Sequence, residues 1–268
     1  MTIKAVRSSL YDIPPQVRRT DAIQTFESME FPLVEIEDED GRIGVGFSYT
    51  IGKGGVAIKQ IIDQYLIPII LDADPNNIDR IWQRMWMDTH WVGRGGIVGL
   101  GIAAIDIALW DLQAKRADLP LYQLLGGAKS RVPVYNTDGG WLHLTENELV
   151  RQSVEFIEQG FKGVKIKVGR DNLYEDVSRL RSVRSAIGQA PFLMIDANIK
   201  WIMGNVLNTS SNIEISARLA SEINLVIFLF NFSYKVNYFR DKFVGIKYRI
   251  AMALTFSKEQ LIWHAKLV

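Results

Sequence analysis

The chain has 268 residues, of which 48% are apolar and 23% are charged, a balance typical of a globular protein with a buried core. The formal net charge of +1 gives no excess of Lys and Arg for nucleic acid or an anionic membrane, so we expect neither as a partner. The absence of Cys excludes disulfides, thiol nucleophiles and zinc–thiolate sites, and it is compatible with the cytoplasm, where we expect the protein.

The first 128 residues predict an α+β domain. Strand-like stretches run through "FPLVEIEDEDGRIGVGFSYT", with a hairpin turn at Asp40 and Gly41. Helical periodicity follows in three segments, which are residues 56–71, a stretch from residue 78, and residues 99–117. A short helix led by Pro120 ends at Gly126 and Gly127, and we expect the domain boundary there.

The second domain, residues 129–268, begins with predicted strands, loops and helices that alternate along the chain. The predicted strands lie in "RVPVYNTDGG", "GVKIKVG" and "APFLMIDAN", and the predicted helices cover residues 146–159 and 174–187. Such alternation predicts parallel βα units, in a barrel or in an open doubly wound sheet.

The tail from about residue 202 differs in amino-acid composition from the rest of the chain. All eight prolines lie at or before Pro191, and only Gly204 and Gly245 follow Trp201. Eight Lys and Arg face four Asp and Glu after residue 200, so the tail is basic. Two explanations stay open here: an unusual but ordinary half-domain, or a truncated or diverged C-terminal region.

Two lysines lie inside the apolar run "GVKIKVG". Because successive side chains of a strand point to opposite faces, Lys165 and Lys167 share one face. Burying an unpaired ammonium is costly, and a second ammonium beside it adds to that cost and favours loss of a proton. A purely structural strand would avoid this arrangement, so the pair predicts a functional site.

Asp196 ends the next predicted strand, where parallel α/β folds place their sites. As an alternative, Asp196 could cap the following helix. Beside paired lysines, a carboxylate that holds Mg²⁺ suits abstraction of a proton α to a carboxylate, since the metal takes up the charge of the enediolate and a lysine acts as the base. This is the arrangement known from the enolase superfamily.

The run from Ala103 to Gly126 resembles the signature of the mandelate racemase/muconate lactonizing enzyme family within that superfamily. The matching positions are Asp106, Ala108, Leu109, Asp111, Ala114, Lys115, Pro120, Leu121, Leu124, Leu125 and Gly126. The segments "YNTDGGWLH", "GVKIKVG" and "IDANIKW" follow in the family's order, and their residues are similar to those of acid-sugar dehydratases of the L-talarate/galactarate type. The resemblance covers about residues 1–201.

The resemblance implies an N-terminal capping domain, a modified TIM-like (β/α)-barrel, Mg²⁺ and a small-molecule carboxylate or sugar acid as substrate. It implies that Lys167 is the base, Lys165 its electrostatic helper and Asp196 a metal ligand. The candidate substrate-binding residues are Asn198, Tyr135, Arg18 and His143. Capping loops around residues 18–20 and 50–55 would shape specificity.

Three departures from the family pattern lead us to expect an incomplete barrel and a doubtful metal site. Phe228 or Leu229 stands where a ligand Glu belongs, and Leu254 stands where a second belongs. We expect Glu222 to lie on a helix, not on the metal. The family's Asp and His dyad has no counterpart, because the residues after 127 suffice for about five barrel strands.

Three functions remain open from the sequence. The first is a Mg²⁺-dependent acid-sugar dehydratase, and the second is a catalytically silent relative that acts only through subunit association. The third is a racemase or cycloisomerase of the same family. An open half-barrel leaves strand edges and apolar surface uncovered, so we expect a homo-oligomer.

Overall fold

The computed structural model describes residues 2–93, 95–198, 200 and 225–227. The chain forms two compact units, the first from Met1–Arg18 and Phe26–Arg131, the second from Arg19–Thr25 and Val132–Val268. The sequence placed the boundary after residue 128 and assigned residues 19–25 to the first domain. Contacts explain the difference, since the Leu142 N–H donates to the Thr20 carbonyl at 3.0 Å within the second unit.

The first unit is built on an antiparallel sheet. The strands up to residue 47, in chain order, are β1 (Ile3–Ile13), β2 (Arg19–Thr20), β3 (Thr25–Phe26), β4 (Met29–Asp38) and β5 (Ile43–Phe47). Of these, β2 lies in residues 19–25 and so belongs to the second unit. The main sheet has the order β1-β4-β5, and β2 pairs with β3 alone. The predicted hairpin is confirmed: β4 and β5 pair antiparallel, and Gly41 supplies a φ of 79° beside the turn.

Helices cover the buried face of this sheet. They are α1 (Gly55–Ile61), a π-helical stretch (Ile62–Leu66), α2 (Ile67–Ile70), α3 (Ile78–Asp88), α4 (Ile97–Arg116) and α5 (Leu121–Leu124). α4 is long and apolar enough to cross a membrane by length and composition alone, but here it packs against β4 and β5 as the central core helix. Its close approach to β5 needs a glycine, because a Cβ at Gly46 would lie 2.1 Å from the Ala104 carbonyl oxygen.

The second unit contains the predicted parallel βα units. In chain order they are α6 (Glu146–Glu158), β6 (Gly163–Lys167), α7 (Leu173–Ile187), β7 (Phe192–Asp196) and β8 (Leu225–Ile227). The strands form a parallel sheet in the order β6-β7-β8. The boundaries of α6 and α7 agree with the sequence within a residue, since Thr145 and Asn172 cap the first turns.

The first predicted barrel strand, in "RVPVYNTDGG", forms only partly. Asn136 makes an isolated parallel bridge to Val164, and the Lys162 N–H donates to the Val134 carbonyl at 3.0 Å. The segment thus runs beside β6 but lacks the regular ladder of hydrogen bonds that defines a β-strand.

Candidate active site

The register of β6 and β7 brings the predicted site residues together. The two strands are parallel, and Lys167 pairs with Asp196 at their carboxyl ends. Val164, Ile166 and Val168 are at most 2% exposed, so the apolar side chains that alternate with the lysines fill the core. Strand periodicity therefore forces both lysines onto one face.

The two lysines converge on one carboxylate. The Lys167 ammonium donates to Asp196 Oδ2 at 2.8 Å and to Asn198 Oδ1 at 2.7 Å. The Lys165 ammonium lies 3.3 Å from the same Oδ2 atom. The Asn198 backbone N–H donates to Asp196 Oδ1 at 3.0 Å, so Asn198 contacts both Lys167 and Asp196.

Opposing effects set the pKa of Asp196. Burial, the largest single effect, raises it by disfavouring the charged carboxylate. The hydrogen bond from Lys167, the Asn198 N–H and the charges of both lysines lower it, and together they hold the pKa of Asp196 below its usual value. Asp196 is therefore a carboxylate at neutral pH, in a cluster with an excess of positive charge.

An aromatic side chain borders this cluster. The Lys167 ammonium lies 5.6 Å from the centre of the Trp141 ring, within the range of a cation–π contact. The loop that carries Trp141 is tied to β6, since the Lys167 N–H donates to the Gly140 carbonyl at 2.8 Å. Only glycine fits at position 140, where φ is 74° and a Cβ would lie 2.5 Å from the Lys165 carbonyl oxygen.

The remaining candidate substrate residues lie in different parts of the chain. Tyr135 is partly buried next to the Asn136 bridge, and His143 is partly buried in the loop after Trp141. Arg18 is exposed and belongs to the first unit. Their roles in substrate binding stay predictions.

The described residues do not by themselves make a magnesium site. Mg²⁺ prefers about six oxygen ligands in octahedral geometry. Within the ranges that the structure describes, no group of three His, Cys, Asp or Glu could hold a metal ion. Asp196 is the carboxylate of this cluster, and its Oδ2 already lies against two ammonium groups.

The predicted departures from the family pattern fall largely outside the described residues. β8 confirms that a strand follows β7, and its last residue, Ile227, pairs with Ile195. In the sequence the next residue is Phe228, where the pattern calls for a ligand Glu. Phe228, Leu229, Glu222 and Leu254 themselves lie outside the described residues.

Sequence reasoning missed several residues around the site. They are Trp141, Arg170, Asp176 and Arg179, which hold or border the loops flanking β6. A signal was available for Trp141, because the two preceding glycines indicate close backbone approach. The buried charges on α7 gave no signal, since Asp and Arg in a helix usually face solvent.

An α+β unit followed by parallel βα units, with two lysines and an aspartate at the strand ends, defines an enolase-type protein with a capping domain and a barrel domain. Family models agree: the mandelate racemase / muconate lactonizing enzyme N-terminal domain matches residues 6–126, and the enolase C-terminal domain-like model matches residues 148–228. The chain belongs to the mandelate racemase/muconate lactonizing enzyme family of the enolase superfamily.

Two curated relatives show which kinds of enzyme this chain is similar to. The chain is 42% identical over 210 residues to the 3,6-anhydro-alpha-L-galactonate cycloisomerase of Streptomyces coelicolor, covering 78% of this chain and 58% of that protein. It is 44% identical over 173 residues to the L-talarate/galactarate dehydratase of Salmonella typhimurium, covering 63% of this chain and 42% of that protein. The chain thus spans at most about three fifths of these relatives' lengths.

Solved structures give the same fold. A racemase from Streptomyces coelicolor with bound magnesium superposes with a TM-score of 0.77 at 40% identity, over 84% of this chain and 61% of that chain. The Salmonella L-talarate/galactarate dehydratase with magnesium and L-lyxarohydroxamate gives 0.71 at 35% identity, over 84% and 64%. The predicted fold class is confirmed.

Proposed function

We propose that this chain belongs to an enzyme that acts on sugar acids by removing the proton α to a carboxylate, with Lys167 as the base. The observation that carries this proposal is the convergence of Lys165 and Lys167 on Asp196 at the carboxyl ends of two parallel strands. Relatives named as acid-sugar dehydratases and as a cycloisomerase support the substrate class.

The chain's own residues account for the proton transfer. Asp196 and Asn198 accept hydrogen bonds from the Lys167 ammonium and fix the position of its Nζ atom. Lys165, on the same strand face, supplies positive charge for the substrate carboxylate. The neutral form of Lys167 would take the α-proton, and Asp196 would stabilise the ammonium that results.

The two reaction types differ after this shared step. A dehydratase next expels a hydroxyl group, whereas a cycloisomerase or racemase moves the proton or a bond without loss of water. The 42% identity to the cycloisomerase over 210 residues makes cycloisomerisation a second candidate beside dehydration. Both candidates need the same lysine.

Proton NMR in D₂O tests the proposal directly. The purified chain is incubated with galactarate, L-talarate and 3,6-anhydro-L-galactonate, each with and without Mg²⁺, and the α-proton signal is followed. We expect the signal to decay and Lys167→Met to reduce the rate by at least about 100-fold. Lys129→Met, a change on the exposed connection before the βα units, serves as the control and leaves the rate unchanged.

The other outcomes are equally informative. Decay with appearance of a keto acid identifies dehydration, and decay without loss of water identifies isomerisation. A folded protein that exchanges no α-proton with or without Mg²⁺ contradicts the proposal and favours a catalytically silent relative.

A further inference from the structure

Two buried charged side chains lie on α7, next to the lysine strand. Asp176 is 1% exposed and Arg179 is 3% exposed, and they stand one helical turn apart. Burial raises the pKa of Asp176 and lowers the pKa of Arg179. Because buried charges are costly unless their hydrogen bonds compensate, the groups that they bind indicate their role.

Arg179 holds the loop that follows the first barrel segment. Its guanidinium donates to the Leu144 carbonyl at 2.6 Å and to the Trp141 carbonyl at 3.1 Å. Arg170 donates to the Leu142 carbonyl in the same loop at 2.7 Å. A planar guanidinium presents its donors in a rigid fork that is pre-organised for two acceptors, whereas the ammonium of lysine sits on a flexible stem.

Asp176 holds the turn that follows the lysine strand. Its Oδ2 accepts hydrogen bonds from the Gly169 N–H at 2.8 Å and from the Arg170 N–H at 3.0 Å. The first turns of α7 therefore fasten two loops, the loop that carries Trp141 and the loop that follows β6. The same contact orients Arg170, the second arginine of the set.

Trp141 links this network to the lysine. Its backbone carbonyl is held by Arg179, and its indole N–H donates to the Asp138 carbonyl at 3.1 Å. Hydrogen bonds thus hold both the backbone and the indole of Trp141. The residue is 8% exposed, and its ring centre lies 5.6 Å from the Lys167 ammonium. Since a lysine side chain has a flexible four-carbon stem, a fixed ring beside it restricts where the Nζ atom can lie.

We propose that Arg179 is a positioning residue that holds the Trp141 indole against the Lys167 ammonium through the carbonyls of Trp141 and Leu144. The consequence for catalysis rests on the proposed function, because only an enzyme that uses Lys167 as its base loses rate when the Nζ atom of Lys167 is displaced. A displacement of about 1 Å at a reacting group reduces a rate by roughly 100-fold.

The first measurement does not depend on activity. The full chain is labelled with 5-fluorotryptophan, and the ¹⁹F resonance of Trp141 is assigned with Trp141→Phe. We expect Arg179→Met and Arg179→Lys to shift this resonance, and Lys167→Met to shift it as well because the cation leaves the ring. Arg181→Met, on an exposed position of the same helix, leaves it in place.

The second measurement is the α-proton exchange rate of the same variants. We expect Arg179→Lys to lower kcat by about 10-fold to 100-fold while KM changes by less than about 3-fold, since Arg179 is buried and its guanidinium donates to the loop carbonyls. Arg179→Lys keeps the charge, so the test stands even where Arg179→Met fails to fold.

The outcomes separate this inference from the proposed function. An unshifted Trp141 resonance in folded Arg179→Lys overturns the inference, and so does a shifted resonance with an unchanged kcat in an active protein. A shifted resonance in a protein whose wild type exchanges no α-proton supports the positioning contact and contradicts the proposed function.

Discussion

At the scale of single residues, one carboxylate balances two ammonium groups. Asp196 is 6% exposed, and its Oδ2 lies 2.8 Å from the Lys167 ammonium and 3.3 Å from that of Lys165. Loss of its charge would remove the carboxylate that faces the buried Lys167 ammonium and the partly buried Lys165 ammonium, which is costly in a low-dielectric site. The excess positive charge that remains in the native cluster suits an anionic substrate.

Asp196→Asn should lower the free energy of unfolding at pH 7 by about 3 kcal/mol, because it removes the charged partner of the buried Lys167 ammonium. The folded protein holds the pKa of Asp196 below its usual value, so this stability is present above the unfolded-state pKa near 3.9. It is lost as the pH falls through the lowered folded pKa. Urea unfolding between pH 3 and 7 measures the difference.

Asp171→Asn is the matched control, since Asp171 pairs with Lys200 at 3.1 Å but its side chain is 97% exposed. Such a surface pair contributes roughly 0–1 kcal/mol. Equal losses in the two variants, or a loss in Asp196→Asn that does not shrink towards low pH, would contradict the assigned charge of Asp196.

The central residues of the site were predictable because two simple rules determine them. Strand alternation puts Lys165 and Lys167 on one face, and parallel strands bring Lys167 next to Asp196. Arg179 was not predictable, because Val177, Leu180 and Val183 form the expected apolar stripe of α7 and a nearby arginine is assigned to solvent by default. Its burial depends on carbonyls contributed by a distant loop, which no local pattern encodes.

At the scale of elements, α6 shows how a local signal can determine a boundary. The Glu148 N–H donates to the Thr145 hydroxyl at 3.3 Å, and the Thr145 N–H donates to the Glu148 carboxylate at 2.9 Å. This reciprocal pair is a capping box, which satisfies backbone donors that the helix itself leaves free. The helix accordingly starts where the sequence predicts.

Thr145→Ala should destabilise the second unit by about 1 kcal/mol, because the first turn of α6 loses its side-chain acceptor. Thr145→Ser retains a hydroxyl and should restore most of the loss. Thermal unfolding followed by circular dichroism measures both variants. A serine variant as unstable as the alanine variant would show that the threonine methyl group, not the cap, carries the effect.

Elements that depend on distant partners were predicted less well. The segment "RVPVYNTDGG" has the alternation of a strand, yet Val132 and Val134 are 68% and 57% exposed, and an isolated bridge and scattered backbone hydrogen bonds join it to β6 in place of a regular ladder. Residues 19–25 follow β1 in the sequence but join the second unit. In both cases the sequence specifies an extended backbone but not the partner against which it packs.

At the scale of the whole molecule, each unit has a buried core of its own. Leu109 on α4 belongs to the apolar cluster of the first unit, and Leu193 on β7 lies inside the parallel sheet of the second. Both side chains are fully buried. Because the two cores are built from separate segments, we expect a substitution in one core to leave the packing of the other unchanged.

Leu109→Ala and Leu193→Ala should each cost about 3 kcal/mol, through lost burial and the cavity left behind. In the double variant the two losses should add within about 0.5 kcal/mol, because residues in separate cores share no packing partner. Leu193→Ala combined with Val164→Ala is the control, since residues 164 and 193 pair directly in β6 and β7 and their losses should not add. Chemical unfolding of the single and double variants gives these values. A coupling energy above about 1 kcal/mol between Leu109 and Leu193 would show that the two cores are energetically coupled and not independent.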